Sequence, residues 1–525
     1  MASLVDEANN QSIAAQIQEL RNRAARVIKL DVRGLRSQIQ IQYRFPGEER
    51  PSTEITINVQ RHEPQCEQLM AAVGEVLGQN HAQLQHFGIS KLKFLNNSYP
   101  QFWRGLAANR VLEQVRFGEV EFPNEPDFPS FLANQELRLF VLSACRFSDG
   151  AFRSFCQGIQ SSRIKKLHIR DGNRALGIAW SLLWSALEHG ATRLESLEVG
   201  FSDSAPHGSE TGFESLLTNN TNIQSLCLHG CFWDRDRHPF FVALGRGLAV
   251  NTTVKFLNLD SSSMSGTSTI YKGMIQTMFA EGLDQNMAVN SLTVKMDVCP
   301  NTVNALVDGL EDMMRNRASA ATRGDRHPEE SLPVLKEVAI TFGDSFHEDP
   351  LATDALRDLF LDRLSRSVVI LVEKVKVQSL PRGQLLSPKV YDFIRSTQIT
   401  ERLELSGYYG RPDDKKLVNL ADAMEANNSI SEIQVGRERF DTMTNLLPSR
   451  NKYRIRCQCR RNEIQVHTLR KNENLNLLPL VLTKLLPSDD TPADENERRK
   501  IEARQLVDRT IAYEVLKDIP VLFAV

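Results

Sequence analysis

The residues that could support catalysis or nucleotide binding form no complete motif of either kind. Gly245 and Gly247 form a G-x-G pair that lacks the third glycine and the preceding strand of a dinucleotide site, and the chain has no Gly-Lys-Ser/Thr phosphate loop. The 11 histidines include no H-E-x-x-H pair, and no serine lies in a G-x-S-x-G elbow. We therefore predict a non-enzymatic chain with no catalytic residue, no cofactor and no small-molecule substrate.

The eight cysteines include two closely spaced pairs. Cys457 and Cys459 form C-x-C, and Cys227 and Cys231 are four residues apart. A structural zinc site needs four ligands at matched spacing. We therefore interpret these residues as reduced cysteines in or beside a hydrophobic core, and we predict no metal site. Eight cysteines in 525 residues are also too few for a secreted disulfide framework, which favours a reducing compartment.

A basic strip near residue 455 is a candidate for recognition. Arg454 and Arg456 would share one face of a strand, and Arg460 and Arg461 follow. Such a strip could bind phosphate, in which case affinity for nucleic acid would fall with added salt. Charges on an edge strand also prevent other chains from pairing with it. We favour this second interpretation and keep nucleic-acid binding as an alternative.

The overall charge indicates that any electrostatic recognition must be local. The 63 basic and 65 acidic residues nearly cancel, so no global field attracts nucleic acid or an anionic membrane. The first 20 residues are too polar for a signal peptide, and the longest aliphatic run, 368–372, is too short to cross a bilayer. We expect an intracellular, soluble protein of the cytoplasm or nucleus that does not bind membranes.

The elements that must position these residues form a repeat. A motif of the form apolar-x-x-apolar-x-apolar occurs twelve times, and between its copies the apolar spacing changes from two residues to about 3.6. This change predicts strands that alternate with amphipathic helices. The copies are ISKLKF (89–94), LEQVRF (112–117), LRLFVL (137–142), IKKLHI (164–169), LESLEV (194–199), IQSLCL (223–228), VKFLNL (254–259), VNSLTV (289–294), LKEVAI (335–340), VEKVKV (372–377), TERLEL (400–405) and ISEIQV (430–435).

The motif resembles the leucine-rich repeats of the ribonuclease-inhibitor-like class. Two units end the motif with a cysteine, Cys145 and Cys231, and the spacing of about 31 residues is somewhat longer than the roughly 20–29 usual for such repeats. The resemblance implies an α/β solenoid of about twelve repeats, a horseshoe with a parallel concave sheet and convex helices. An asparagine three residues before the motif recurs at Asn220, Asn251, Asn286 and Asn427.

These units predict three regions. Residues 1–80 form an N-terminal cap, with a helix over 12–28, a β-hairpin and a second helix; residues 81–435 form the solenoid. An exposed loop, 315–333, is predicted as an insertion into the solenoid. Residues 436–525 form a C-terminal cap whose segment 451–469 alternates as paired strands would. Trp180 and Trp184, one helical turn apart, belong to the core.

Strand residues between the core positions should point outward on the concave face. The early units are basic there, so we predict binding of an acidic surface of a protein partner. The function implied by the resemblance is that of a protein-binding scaffold. A regulator of a small GTPase is an alternative, because the GTPase-activating protein for Ran is similar to this class, although its acidic tail is not found here. The candidate ligand-binding residues are Lys91, Lys93, Arg116, Lys166, His168, Phe256 and the loop residue Trp233.

Overall fold

The computed structural model describes strands, helices and adjoining turns from Val27 onward, in two compact units. Unit 1 contains the described residues of Met1–Met264 and Thr277–Val289, and unit 2 contains those of Ser265–Gln276 and Asn290–Val525. The described residues are 27–33, 37–44, 53–59, 63–79, 86–90, 99–122, 127–134, 136–170, 179–190, 193–201, 208–230, 238–260, 268–296, 300–323, 334–342, 350–367, 369–378, 386–397, 400–406, 414–435, 438–440, 455, 458, 459 and 462.

Unit 1 contains a sheet of mainly parallel strands. Its order is β12-β11-β10-β9-β7-β5-β4-β1-β2-β3, with antiparallel pairing at β1-β2 and β2-β3, while β6 and β8 pair separately. The strands are β1 (Val27–Arg33), β2 (Ser37–Arg44), β3 (Thr53–Val59), β4 (His86–Ser90), β5 (Gln114–Gly118), β6 (Glu121–Phe122), β7 (Leu139–Ser143), β8 (Arg146–Phe147), β9 (Lys166–Arg170), β10 (Ser196–Phe201), β11 (Ser225–Gly230) and β12 (Phe256–Asp260).

Helices connect the parallel strands of unit 1. One further helix, α8, contains residues of both units, and a short 3-10 helix, Leu283–Gln285, follows it. The helices are α1 (Glu63–Gly78), α2 (Pro100–Ala108), α3 (Asp127–Asn134), α4 (Asp149–Gln160), α5 (Trp180–His189), α6 (Glu210–Asn219), α7 (His238–Val250) and α8 (Ser268–Ala280).

Unit 2 repeats the same alternation. Its strands β13 to β17 are parallel in consecutive order, and β18 is antiparallel to β17. The elements are β13 (Ser291–Met296), α9 (Pro300–Arg323), β14 (Leu335–Phe342), α10 (Pro350–Arg366), β15 (Val372–Gln378), α11 (Pro388–Ser396), β16 (Arg402–Ser406), α12 (Asp414–Glu425), β17 (Glu432–Val435) and β18 (Glu438–Phe440).

The strand register confirms the predicted strand positions for eleven of the twelve motifs. In unit 1, Leu226 lies opposite Leu197 on one side and Leu257 on the other; in unit 2, Val375 lies opposite Val338 and Leu403. All six leucines and valines at these central positions of their strands are at most 1% exposed. A strand or helix alone cannot cover its apolar face, so stacking of successive units builds the core.

Aromatic side chains join the helices of unit 1 to its strands. Trp180 and Trp184 on α5 stack with ring centroids 5.3 Å apart, and Trp180 also packs 4.9 Å from Phe201 on β10. Phe155 on α4 lies 6.3 Å from Phe140 on β7. Both tryptophans are buried, which confirms the core position predicted for them.

Buried asparagines three residues before several of the strand motifs connect consecutive strand–helix repeats. The Oδ1 atom of Asn286 accepts from the backbone N–H groups of Ala288 and Val289, while its Nδ2 donates to the carbonyl of Asn251 in the preceding unit, 2.9 Å away. Asn251 binds the carbonyl of Asn220 in the same way. The recurring asparagine therefore satisfies buried backbone groups that have no partner within helix or strand. Asn109, three residues before the motif LEQVRF (112–117), makes equivalent bonds to Val111 and Leu112.

The G-x-G pair serves helix packing. Gly245 and Gly247 lie within α7, and a Cβ atom at Gly245 would come within 2.7 Å of the backbone oxygen of Met278. A Cβ atom at Gly247 would meet the side chain of Leu217 at 2.7 Å. These glycines let neighbouring elements approach closely, and they do not form the strand-to-helix loop that a dinucleotide site requires.

The structure corrects the position of the first motif. The strand that pairs with β5 is His86–Ser90, so Phe87 and Ile89 occupy the register positions predicted for the residues at 92 and 94. The overlapping sequence LQHFGI (84–89) fits the same pattern as ISKLKF. Both candidates are equally apolar, and only pairing with β5 distinguishes them. Lys91 and Lys93 lie outside the described residues.

Two further expectations are wrong. The predicted loop 315–333 begins inside α9, which extends to Arg323 because RNRASAATR (315–323) is rich in alanine and arginine, both good helix formers. In the predicted strand pair 451–469, the four described residues, Ile455, Gln458, Cys459 and Asn462, are helical, and their spacing of three and four residues is that of one buried helix face.

Some of the elements predicted within 1–80 are observed. The predicted hairpin is present as β2 and β3, and α1 follows it. The end of the helix predicted over 12–28 is wrong, because residues 27 and 28 begin strand β1, which pairs with β4. The rest of that helix and all of 463–525 lie outside the described residues. Among the described helices, we find none that combines the length and the apolar character needed to span a membrane.

Candidate functional site

Alternate strand residues that do not enter the core form what we call the open face of each sheet. In unit 1, register places His168, Glu198 and Cys227 in one row across β9, β10 and β11. The next row contains Arg170 on β9, His229 on β11 and Asp260 on β12. Because neighbouring strands lie about 4.8 Å apart, these side chains come within bonding reach.

The six residues form a connected polar cluster, which we call the β9–β12 cluster. His229 is at its centre: Nε2 lies 3.0 Å from Cys227 Sγ and 3.2 Å from Glu198 Oε1, and Nδ1 lies 3.2 Å from Asp260 Oδ2. Glu198 also accepts a hydrogen bond from Arg170 Nε, and its Oε2 lies 3.4 Å from His168 Nδ1. Glu198 is 8% exposed, so its interactions are little screened by water.

The cluster holds His229 as a cation and Glu198 as an anion. Burial opposes the charge on His229, but hydrogen bonds with Asp260, Cys227 and Glu198 outweigh it and raise its pKa to about 11. Burial likewise opposes ionisation of Glu198, but the bonds from His229 and Arg170 lower its pKa to about 2. Positive charge at this position is therefore strongly stabilised.

His168 at the edge of the cluster behaves differently. Burial lowers the pKa of His168, Glu198 acts in the opposite direction, and the cations Arg170, Arg116 and Lys166 add to the lowering. The two imidazoles that contact Glu198 therefore differ in charge near neutral pH. His168 belongs to a cationic neighbourhood on β5 and β9, whereas His229 lies among oxygen and sulfur atoms.

In the cluster, the thiol of Cys227 contacts the imidazole of His229, which contacts the carboxylate of Asp260. The same arrangement activates the cysteine nucleophile in some enzymes. A general base must be unprotonated when the nucleophile loses its proton. With a pKa of about 11 and a carboxylate on both ring nitrogens, His229 already carries its proton at neutral pH. This geometry therefore favours the binding of a charged group over general-base catalysis.

The predicted site residues are distributed unevenly. Arg116 and Lys166 are exposed on the open face of unit 1, His168 is half-buried beside them, and Phe256 is 47% exposed. Lys166 and Phe256 belong to the same register row, three strands apart, or about 14 Å. The remaining candidates, Lys91, Lys93, Trp233, Arg454, Arg456, Arg460 and Arg461, lie outside the described residues.

Sequence reasoning did not identify Arg170, His229 or Asp260. Each follows directly after the last apolar residue of its motif, at the third outward position of the strand. The apolar motif ends one residue before these positions, so it contains only the first two outward positions of each strand. Extending the alternation by one residue would have found Arg170, His229 and Asp260 in three of four consecutive units. Cys227 occupies the second outward position of its motif, but its partners are not evident from the sequence.

The open face of unit 2 has a different charge pattern. Lys374 lies 3.2 Å from Glu337, and Lys376 lies 2.9 Å from Glu404. Arg402 lies 3.6 Å from Glu432 on the next strand. Each of these three cations thus has an acidic neighbour on an adjacent strand, and this part of the face offers little uncompensated charge.

No known protein family matches the chain, and no curated protein is significantly similar to it in sequence.

Proposed function

We propose that the chain is a non-enzymatic protein-binding scaffold of the leucine-rich-repeat type, and that the open face of unit 1 binds an acidic surface of a protein partner. The alternation of strand and helix with one buried central residue per strand supports the repeat type. Stacked repeats of this kind offer an extended surface for recognition. Fold alone does not determine function, so the proposal depends on the residues of the face.

The observation that carries the proposal is uncompensated positive charge. Arg116 and Lys166 are exposed, and among the described residues neither forms an ion pair. In the β9–β12 cluster, the two carboxylates of Glu198 and Asp260 are already bound by Arg170 and His229. The net charge of this part of the face is positive, which attracts acidic surfaces and increases association rates.

Phe256 complements this charge. A large aromatic side chain that is 47% exposed on a strand can become buried against a partner, and aromatic residues contribute much of the binding energy of protein interfaces. Lys166 and Phe256, about 14 Å apart, fit within one interface of ordinary size. The face thus combines a cationic edge on β5 and β9 with an apolar anchor on β12.

The test is affinity capture followed by mass-spectrometric identification and a binding measurement with the identified partner. We expect the double variant Arg116→Glu/Lys166→Glu to weaken binding at least about tenfold, and Phe256→Ala to act similarly. The matched control is Arg104→Glu/Arg153→Glu, which makes the same charge change on exposed residues of α2 and α4. Equal binding by wild type and both open-face variants would reject this site.

A further inference from the structure

We propose that Glu198, Cys227 and His229 bind a divalent transition-metal ion of the zinc type, with Asp260 orienting the histidine ligand. This inference goes beyond the proposed recognition of a protein partner and does not depend on it. The three ligand atoms, a carboxylate oxygen, Cys227 Sγ and a ring nitrogen of His229, all lie within 4.8 Å of one another. They come from two adjacent strands of one rigid sheet.

The strand geometry explains why these ligands converge. Cys227 and His229 are two residues apart on β11, so their side chains leave the same face of the sheet. Glu198 lies opposite Cys227 on β10 and places its Oε1 atom 3.2 Å from His229 Nε2. The preorganised site therefore needs no backbone movement to present one sulfur, one nitrogen and one oxygen ligand.

The distances fit a tetrahedral ion. Zinc bonds of about 2.3 Å to sulfur and about 2.0 Å to nitrogen and oxygen require S···N and N···O separations of roughly 3.5 and 3.3 Å. The observed separations are 3.0 Å for Cys227 Sγ to His229 Nε2 and 3.2 Å for His229 Nε2 to Glu198 Oε1. Both observed separations are therefore within about half an ångström of those that a tetrahedral zinc ion requires.

Asp260 has the position of a residue that orients a metal ligand. A histidine that binds a metal usually donates its other ring N–H to a carboxylate, which sets the tautomer and the ring orientation. Asp260 Oδ2 lies 3.2 Å from Nδ1 of His229, on the side of the ring away from Cys227 and Glu198. Bonding of Nδ1 to Asp260 leaves Nε2 directed at the proposed ion.

The ligand types select the class of ion. A thiolate and an imidazole favour zinc or cobalt over magnesium and calcium, which prefer oxygen ligands. When the ion binds, Cys227 and His229 Nε2 each lose a proton to solvent, and the metal takes over the positive charge beside Glu198. Three protein ligands leave a fourth position on the solvent side of the sheet, where water or a group of another molecule can bind.

Titration of chelator-treated full-length protein tests the site. With Co²⁺ we expect a thiolate-to-cobalt charge-transfer band that Cys227→Ser and His229→Gln abolish. With Zn²⁺, titration calorimetry should show that each of these variants binds one ion fewer per chain than the wild-type protein. Asp260→Asn should weaken Zn²⁺ binding about 10- to 100-fold, as expected of a residue that acts through His229. His189→Gln, an exposed histidine on α5, is the matched control and should bind as wild type does.

Two results would overturn the proposal. One is the absence of a charge-transfer band in the wild-type protein; the other is a band and a Zn²⁺ affinity that survive Cys227→Ser, which would assign the ion to other cysteines. Circular dichroism checks that each variant is folded. If Cys227→Ser does not fold, Glu198→Gln, which keeps the size of the side chain, should still weaken Zn²⁺ binding, and unchanged affinity there would equally reject the site. Binding to the partner protein is measured separately, so the two proposals can fail independently.

Discussion

The side-chain amide of Asn286 donates a hydrogen bond to the backbone carbonyl of Asn251, 2.9 Å away in the preceding strand–helix unit. Asn251 donates in turn to the carbonyl of Asn220. In this region, one asparagine side chain per repeat thus forms a hydrogen bond to the backbone of the preceding repeat. In unit 2, Gln458 donates to the carbonyl of Asn427 at 3.0 Å. The hydrogen bond to the preceding repeat therefore recurs beyond the last strand motif, with a glutamine in place of the asparagine.

Replacing Asn286 by alanine should lower the free energy of unfolding by about 2–4 kcal/mol, because buried backbone N–H and C=O groups lose their partners. Urea denaturation followed by circular dichroism measures the change. Asn219→Ala is the control, since Asn219 bonds Glu188 and Ser215 at the exposed surface of α6 and its loss should cost less than about 1 kcal/mol. Equal costs for the two variants would contradict the structural role of Asn286.

Leu226→Ala tests the stacked core. Leu226 is fully buried between Leu197 and Leu257, so truncation leaves a cavity and should destabilise the protein by about 2–5 kcal/mol. Val250→Ala removes apolar atoms at a position that is 59% exposed and should change stability by no more than about 0.5 kcal/mol. Thermal unfolding of both variants gives the comparison. A small change in stability for Leu226→Ala would mean that neighbouring strand–helix repeats do not share one core.

A buried arginine in unit 2 provides a third prediction. The guanidinium of Arg357 is 1% exposed and binds Asp354 at 3.0 Å and Asp358 at 2.7 Å. Arg357→Ala leaves both carboxylates without this partner and should cost about 3–5 kcal/mol. Arg366→Ala breaks a 2.8 Å ion pair with Asp362 at a side chain that is 72% exposed, so its cost should be below about 1 kcal/mol. Urea unfolding of the two variants distinguishes them, and similar midpoints would be inconsistent with this difference in burial.

Cysteine reactivity gives a fourth prediction. Burial raises the pKa of Cys145 and of Cys156 to about 12, so both are neutral thiols at pH 7 and shielded from reagents. We expect iodoacetamide to modify both far more slowly in the native protein than in urea. Cys227 is only half-buried and should react faster than either in metal-free protein. Peptide mass spectrometry over time measures each rate, and fast native modification of Cys145 or Cys156 would contradict their placement.

The sequence by itself determined the alternation of strand and helix. Side-chain direction repeats every two residues in a strand and every 3.6 residues in a helix. Burial of one face therefore produces a local spacing of apolar residues that can be recognised in the sequence alone. Eleven strand positions, the two core tryptophans of α5 and four linking asparagines follow from that pattern. The same locality explains the error at the first motif, where two overlapping segments satisfy the pattern and only pairing with β5 selects His86–Ser90.

Only the tertiary structure decided which polar residues meet. Glu198, His229 and Asp260 are separated by about 30 residues from one unit to the next, and parallel register brings them to one place on the sheet. The periodic pattern places these residues at outward positions of their strands, but which side chains form hydrogen bonds and ion pairs depends on the strand register and on side-chain geometry. Charge state follows the same rule: the pKa values of His229 and Glu198 are set by neighbours on other strands, which the linear order of residues does not reveal.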